Sequence, residues 1–478
     1  MSSGRPCPSR RRRPRSPDRP CPGPGYNPTF LPWLLLAVIL AGLAPEHLSA
    51  QVRRKARTDP SEEGPGSRVA IGYAADLFVP GRGEWSETPA ILDNLDLLLH
   101  LDLEEALGLP GTSLRIHVQS NRGDAVSAEV GDLQGVSNLQ APEKWRLYEA
   151  WIEQPMGPSG TSLLAGVWDI NAEFDVIPAA GDFLNGAFGF GPEYSLSGTV
   201  GPSTYPATGL AARLRLEPRP DIYGLLAVSD GAPSRPGSLD FSLDREDGGL
   251  LSAEIGYVRP FSDPSPGPGW ASRPDRRGGG RGMARGGPGP RRQRRRIGRG
   301  RVIQEVATKI AAGAWLYTSR LPAWTTGAPS AHGWGLYLLG EHRLSREENG
   351  TGGLSGFARI GTAADEVNRV SLSLGGGLTY TGLLPGRPDD VTGLGVAHAR
   401  NGSPYLRAQR QAGFATERAE TVVELTHRVQ LGSAFVIQPD LQWVKNPGMD
   451  PSSANALVFG VRGHLFFQLP SGDRDGDG

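Results

Sequence analysis

The stretch "TSLRIHVQS" (Thr112–Ser120) places Leu114, Ile116 and Val118 at one set of alternate positions and Arg115, His117 and Gln119 at the other. A β-strand sends successive side chains to opposite faces. The segment therefore has one apolar face and one polar, chargeable face. Taken alone it suits a secreted antiparallel sandwich as well as a membrane barrel, because strands of both alternate. The number of such segments separates the two.

The pattern recurs down the chain. "LDLLLHLDL" sets Leu95, Leu97, Leu99, Leu101 and Leu103 against Asp96, His100 and Asp102. "GLAARLRLE" sets Leu210, Ala212, Leu214 and Leu216 against Arg213, Arg215 and Glu217. In "AFVIQPDLQWV" and "ALVFGVRGHLFF" the polar side carries Gln438, Asp440, Gln442, Arg462 and His464. Strands are predicted at 69–78, 91–103, 112–120, 145–154, 161–168, 209–217, 222–230, 250–257, 309–318, 334–343, 354–361, 370–381, 391–399, 419–429, 435–444 and 455–467. That count is even, as single-chain bacterial barrels require. No amphipathic helix of comparable strength is expected after residue 50. Connections tend to alternate, with Glu104–Gly111, Pro155–Gly160 and Pro218–Asp221 short and Asn121–Lys144, Asp169–Thr208 and Gly231–Gly249 long. Short turns at one end and longer loops at the other follow the barrel rule, and a sandwich gives no reason for that parity.

The fold class is thus all-β, a 16-stranded antiparallel transmembrane β-barrel over residues 68–467, with the Leu/Ile/Val face toward lipid. The Arg/His/Gln face would line the interior, and a barrel of this size leaves an aqueous channel.

The ends fit this picture. The chain has 478 residues, zero formal net charge and a mean hydropathy of −0.32, which excludes a multi-helix membrane protein. Arg10–Arg13, Arg15 and Arg19 precede the apolar "FLPWLLLAVILAGLA" (Phe30–Ala44), and "LSA" (Leu48–Ala50) precedes Gln51. This is a secretory signal pattern over residues 1–50, expected to be cleaved, followed by a short segment 51–67. Both cysteines, Cys7 and Cys21, lie upstream of the cut, so the exported chain would have no disulfide or thiolate metal site.

From Trp145 onward the chain resembles the carbohydrate-selective porin family of the OprB type. The matching stretches include "LYEAWIEQP" (Leu147–Pro155), "FLNGAFGFGP" (Phe183–Pro192), "YPATGLAARL" (Tyr205–Leu214) and "IAAGAWLYTS" (Ile310–Ser319). They continue through "GLYLLGEHRL" (Gly335–Leu344) and "GLSGFARIG" (Gly353–Gly361). The most specific are "TGLLPGRPDDVTGLGVA" (Thr381–Ala397) and "QPDLQWVKNPG" (Gln438–Gly448). The segments before 145 match only in pattern. The resemblance implies an outer-membrane channel for the passive diffusion of sugars and other small hydrophilic solutes, with no enzyme activity and no cofactor. Its partners are outer-membrane lipid and the solute, and a homotrimer is left open.

Selectivity is expected in the connection Asp169–Thr208, which in general porins folds into the lumen as a constriction. Asp169, Glu173, Asp175, Asp182 and Glu193 make it acidic, while Arg115, Arg213, Arg215 and Arg359 would supply a basic wall. Opposed charges across a narrow pore set a transverse field that orients polar solutes. Trp168, Phe174, Phe183, Phe188 and Phe190 are candidate sugar-stacking rings, or else staples that hold the loop to the wall.

Three further features carry weaker signals. In "GLLPGRPDDVTG" the adjacent Asp389 and Asp390 suit local capping on a turn better than a glycosidase pair. Ser262–Arg301 holds twelve arginines against Asp263 and Asp275. Its Gly/Pro-rich composition reads as a disordered insertion on the periplasmic side, a passive tether rather than a nucleic-acid binder. The acidic tail 468–478 contains "DRDGDG" (Asp473–Gly478), which opens like an EF-hand loop but stops before the bidentate glutamate, so no metal is expected. An envelope-anchoring barrel acting through the basic insertion is the alternative function. A glycan hydrolase lacks a convincing nucleophile or carboxylate pair.

Overall fold

The computed structural model describes residues 67–83, 88–157, 160–233, 248–260, 306–346 and 352–470. The signal pattern, the arginine-rich insertion and the "DRDGDG" tail fall outside the described residues. Sixteen strands form in chain order. They are β1 (Arg68–Arg82), β2 (Ala90–Asp102), β3 (Ser113–Gly123), β4 (Lys144–Pro155), β5 (Ser162–Trp168), β6 (Gly209–Arg219), β7 (Ile222–Asp230) and β8 (Gly249–Pro260). They continue as β9 (Val306–Pro322), β10 (Pro329–Arg343), β11 (Gly353–Ala363), β12 (Val370–Thr381), β13 (Val391–Asn401), β14 (Ala419–Leu431), β15 (Phe435–Lys445) and β16 (Ala456–Pro470).

Each strand pairs antiparallel with the next, and β1 pairs with β16 from Arg68↔Pro470 to Arg82↔Leu457, so the sheet closes on itself. Closure leaves no edge of unpaired N–H and C=O groups, which hydrocarbon would not tolerate. All sixteen predicted strands are present, several of them longer than expected. β9 and β10 run well past the apolar stripe because backbone pairing continues where the outward side chains have become polar.

Register fixes which face each residue takes. Leu97, Val118 and Leu147 share one outward row, and Leu101, Leu114 and Ile152 another. Exposed apolar side chains such as Ile152, Leu226, Ile255, Leu336 and Phe459 continue this outer face round the barrel. Trp145, Trp334 and Trp443 face outward at one end; Tyr257, Tyr380 and Phe467 face outward at the other. Such belts mark the two interfaces of a bilayer. No helix among the described residues is long and apolar enough to cross a membrane.

The β1–β2, β3–β4 and β5–β6 connections share one end, here called the loop end; the β2–β3, β4–β5 and β6–β7 connections share the turn end. The short–long alternation is kept from β2 to β8. It fades later, since β9–β10 and β11–β12 connect tightly at the loop end. The β13–β14 connection contains a helix, Ser403–Gln411, that the sequence pattern did not suggest. Nine residues give only two and a half turns, too few for a 3.6-residue period to stand out.

Candidate functional site

The inner face of the wall is polar and extensively paired. Arg115 on β3 lies 3.0 Å from Glu149 on β4, and Arg462 on β16 lies 2.6 Å from Asp76 on β1. His117 contacts Asp96 at 2.8 Å. These are the polar positions of the alternating strands, and each charge faces a partner on a neighbouring strand.

The connection Asp169–Thr208 folds into the barrel as a chain of short turns: Ile170–Ala172, Pro178–Asp182, Gly186–Gly189 and Pro192–Ser195. Local sequence explains the turns. The Asp169 side chain accepts from Asn171 N (2.8 Å) and the Asn185 side chain from Ala187 N (3.1 Å), as N-caps do. Proline opens two of the four.

Aromatic packing anchors the loop to the wall. Phe183 stacks on Phe188 with ring centroids 4.5 Å apart, and both rings meet the edge of Phe357 on β11. Gly393 and Gly395 on β13 leave room for them, since a Cβ on Gly395 would sit 2.7 Å from the Phe188 ring. Tyr194 stacks on Trp315 of β9 at 5.1 Å. Trp168, Phe174, Phe183, Phe188 and Phe190 are all buried, none more than 6% exposed. Rings so enclosed offer no free face to a sugar. They are packed between the loop and the wall.

The charges of the loop differ in how deeply they are buried. Arg359 on β11 contacts Asp175 at 2.5 Å and Glu193 at 3.3 Å, with all three side chains at 3% exposure or less. Ser373 on β12 donates to Glu193 as well. These carboxylates do not face Arg359 across water; they touch it. Burial pushes the Asp175 carboxyl up to about 7 against the opposing pull of Arg359. Glu173 bridges Arg213 (2.5 Å) and Arg215 (3.0 Å) on β6 and stays partly exposed. Asp182 is also partly exposed. Asp169 is buried beneath Tyr148, which donates to it, and burial raises its carboxyl to about 6. Arg115 reaches the loop only through Glu149, whose carboxylate accepts from Asp169 N at 3.3 Å.

A further set of residues was not singled out from the sequence. Besides Glu149, four wall glutamates accept hydrogen bonds from the backbone of the infolded connections. Glu254 on β8 accepts from Asp175 N (2.9 Å), and Glu341 on β10 from Ala179 N (2.8 Å). Glu424 on β14 accepts from Leu184 N (2.6 Å) and Asn185 N (3.0 Å). Glu420, also on β14, holds a second infolded connection, 124–143, by accepting from Leu133 N (2.9 Å) and Gln134 N (3.0 Å). Lys309 and Gln438 donate in turn to the loop carbonyls of Val176 (2.5 Å) and Asp182 (2.7 Å). Their only sequence signal is a polar residue on the polar face of a strand.

The turn 382–390 behaves as its sequence suggests. Asp390 is buried, pairs with Arg387 at 2.7 Å and accepts from Gln430 N at 3.0 Å, a structural role. No group of three or more metal-ligating side chains is gathered among the described residues.

The chain is similar to known proteins in sequence and in fold. The family model described as "Carbohydrate-selective porin, OprB family" matches residues 86–467, which extends the resemblance well before Trp145 into segments that share only pattern by eye. Porin B of Pseudomonas aeruginosa is 23% identical over 435 residues, covering 85% of this chain and 88% of that protein. The high-pH structure of Pseudomonas putida OprB superposes with a TM-score of 0.68 at 18% identity, covering 84% of this chain and 94% of the other. The low-pH structure of the same protein gives 0.50 at 15% identity, with 84% and 93% covered. With a closed sixteen-stranded barrel, a polar bore and a family match over most of its length, this chain belongs to the carbohydrate-selective porin family, OprB, of the outer membrane.

Proposed function

We propose that the chain is a passive channel through which sugars and other small hydrophilic solutes diffuse across the outer membrane, without turnover or a bound cofactor. The observation that carries this is a closed barrel with a polar inner face and a long connection folded inside it. The partly exposed charges Glu173, Asp182 and Arg215 are the groups a passing solute meets. Asp175, Glu193 and Arg359 set the loop's position, and the buried rings Trp168 and Phe183 hold it to the wall.

The loop end faces the exterior in this scheme. Both barrel termini and the 262–301 insertion then lie on the periplasmic side, the signal segment having been removed. Outer-membrane lipid covers the outward apolar face, and copies associating as a homotrimer would pack through part of it. Liposome swelling with mono-, di- and oligosaccharides is the direct test. Swelling rates should fall steeply with sugar size while ions still pass. A barrel that inserts but swells with no sugar would end the proposal.

A further inference from the structure

On the outer surface of β13, β14 and β15 the residue type changes within one ladder step. The row Val396, Val423, Trp443 is apolar and, at Val396 and Trp443, exposed. The next row toward the loop end is His398, Thr421, Lys445, with Arg400 one step beyond His398 on the same face of β13. His398 Nδ1 and Thr421 Oγ1 are 2.9 Å apart, which ties one ring nitrogen and leaves Nε2 directed elsewhere. Arg400 and Lys445 are exposed. The outward faces of β12 to β16 carry no carboxylate; Glu420 and Glu424 on β14 point inward and are buried.

An outward tryptophan marks the hydrocarbon boundary. A cationic row set one step above it, across three neighbouring strands, lies at headgroup depth. Strands are spaced about 4.8 Å apart, so Arg400 and Lys445 flank a gap of roughly 10 Å, the width of one phosphorylated sugar headgroup. Guanidinium, ammonium, hydroxyl and imidazole N–H groups together make a donor set suited to a phosphate monoester. Leu394, Val396 and Leu425 directly below are exposed and match an acyl chain.

We propose that His398, Arg400, Thr421 and Lys445 form a docking site for the phosphate of an outer-leaflet glycolipid, lipid A, whose acyl chains lie along β13 and β14. The proposal rests on the loop end facing the exterior, and it is independent of what passes through the bore.

The full-length barrel in non-ionic detergent would be titrated with lipid A and with its phosphate-free form, and followed by native mass spectrometry. Wild type should prefer the phosphorylated form, and R400Q/K445Q should bind it about thirtyfold more weakly, since each basic residue near a lipid surface is worth roughly a fivefold factor. The variant's single-channel conductance should equal wild type, showing an intact pore. Equal affinity of wild type and variant, or no preference for the phosphorylated lipid, would overturn the site. So would a variant that binds lipid A normally but loses an oligomer, because a second copy would then occupy this face. Sidedness is read separately with Lys445→Cys, as residues 68–470 contain no other cysteine. Labelling by an impermeant maleimide in intact cells supports the proposal, and no labelling would overturn it through the topology alone.

Discussion

The carboxylate of Glu424, on β14, accepts hydrogen bonds from the backbone of Leu184 at 2.6 Å and Asn185 at 3.0 Å, across 240 residues of chain. A strand residue thus holds the tip of the infolded loop by its peptide groups. An intramolecular hydrogen bond contributes about 1 kcal/mol net. Glu424→Ala should free this part of the loop and give a larger, noisier single-channel conductance, and Glu424→Gln, which keeps one acceptor oxygen, should fall between. A quiet, wild-type trace from Glu424→Ala would show that the loop is held elsewhere.

Arg359 is the sole described cation within 4 Å of Asp175 and Glu193. Removing one partner from a buried ion pair typically costs about 3–5 kcal/mol. Arg359→Gln should therefore lower the unfolding temperature in detergent, and more so at pH 9 than at pH 5. At the lower pH the orphaned Asp175 carboxyl, which burial holds up to about 7, can take up a proton. An equal loss at the two pH values would mean that the pair carries no buried charge.

Asp132 on the 124–143 connection is held up to about 7, from an ordinary 3.8, first by burial and then by the nearby Glu420 charge. A carboxyl whose folded value is raised binds more protons folded than unfolded between those limits. Its contribution is thus fully present below pH 4 and is lost as pH rises through 7. Unfolding temperature should fall across this window, and Asp132→Asn should flatten that part of the profile. A variant with an unchanged slope would assign the pH dependence to other groups.

Much of the fold was legible because its signal is repeated. The alternation in Thr112–Ser120 returns in strand after strand, and one misjudged boundary leaves the parity intact. The connection Asp169–Thr208 stood out by its length, and its infolding was implied by the likeness to porins. What its charges do was not legible, because composition shows that acid meets base but not whether water lies between. Glu173 and Asp175 look alike in sequence. Glu173 stays wet beside Arg213 and Arg215, whereas Asp175 is sealed against Arg359. Glu254, Glu341, Glu420 and Glu424 were missed for a related reason: their partners are distant peptide amides, which leave no trace in residue type.

The partly exposed charges should govern ion preference. Glu173→Gln and Asp182→Asn should each shift the reversal potential of a salt gradient toward anion preference, and Arg215→Gln should shift it toward cations. Asp175→Asn should move it less than Glu173→Gln despite lying in the same loop, because a sealed group is felt weakly in the bore. Equal shifts from Asp175→Asn and Glu173→Gln would place Asp175 in contact with permeating ions.

Gly361 on β11 lies against the Glu193 carboxylate, 1.8 Å from where a Cβ would stand. Gly361→Ala should displace Glu193 from Arg359 at a cost of about 1–3 kcal/mol, the usual range for overpacking, read as a lower unfolding temperature. An unchanged midpoint would show that the carboxylate has room to retreat.

Because Glu254, Glu341 and Glu424 grip peptide N–H groups of the loop, that part of its mooring does not depend on which side chains the gripped residues carry. Substitutions at positions that show their side chains to the bore can recast the filter for a different solute while the anchorage persists. In a lineage of such channels, changes of diet would be written in the loop's side chains, and the harbour wall would stay as it was.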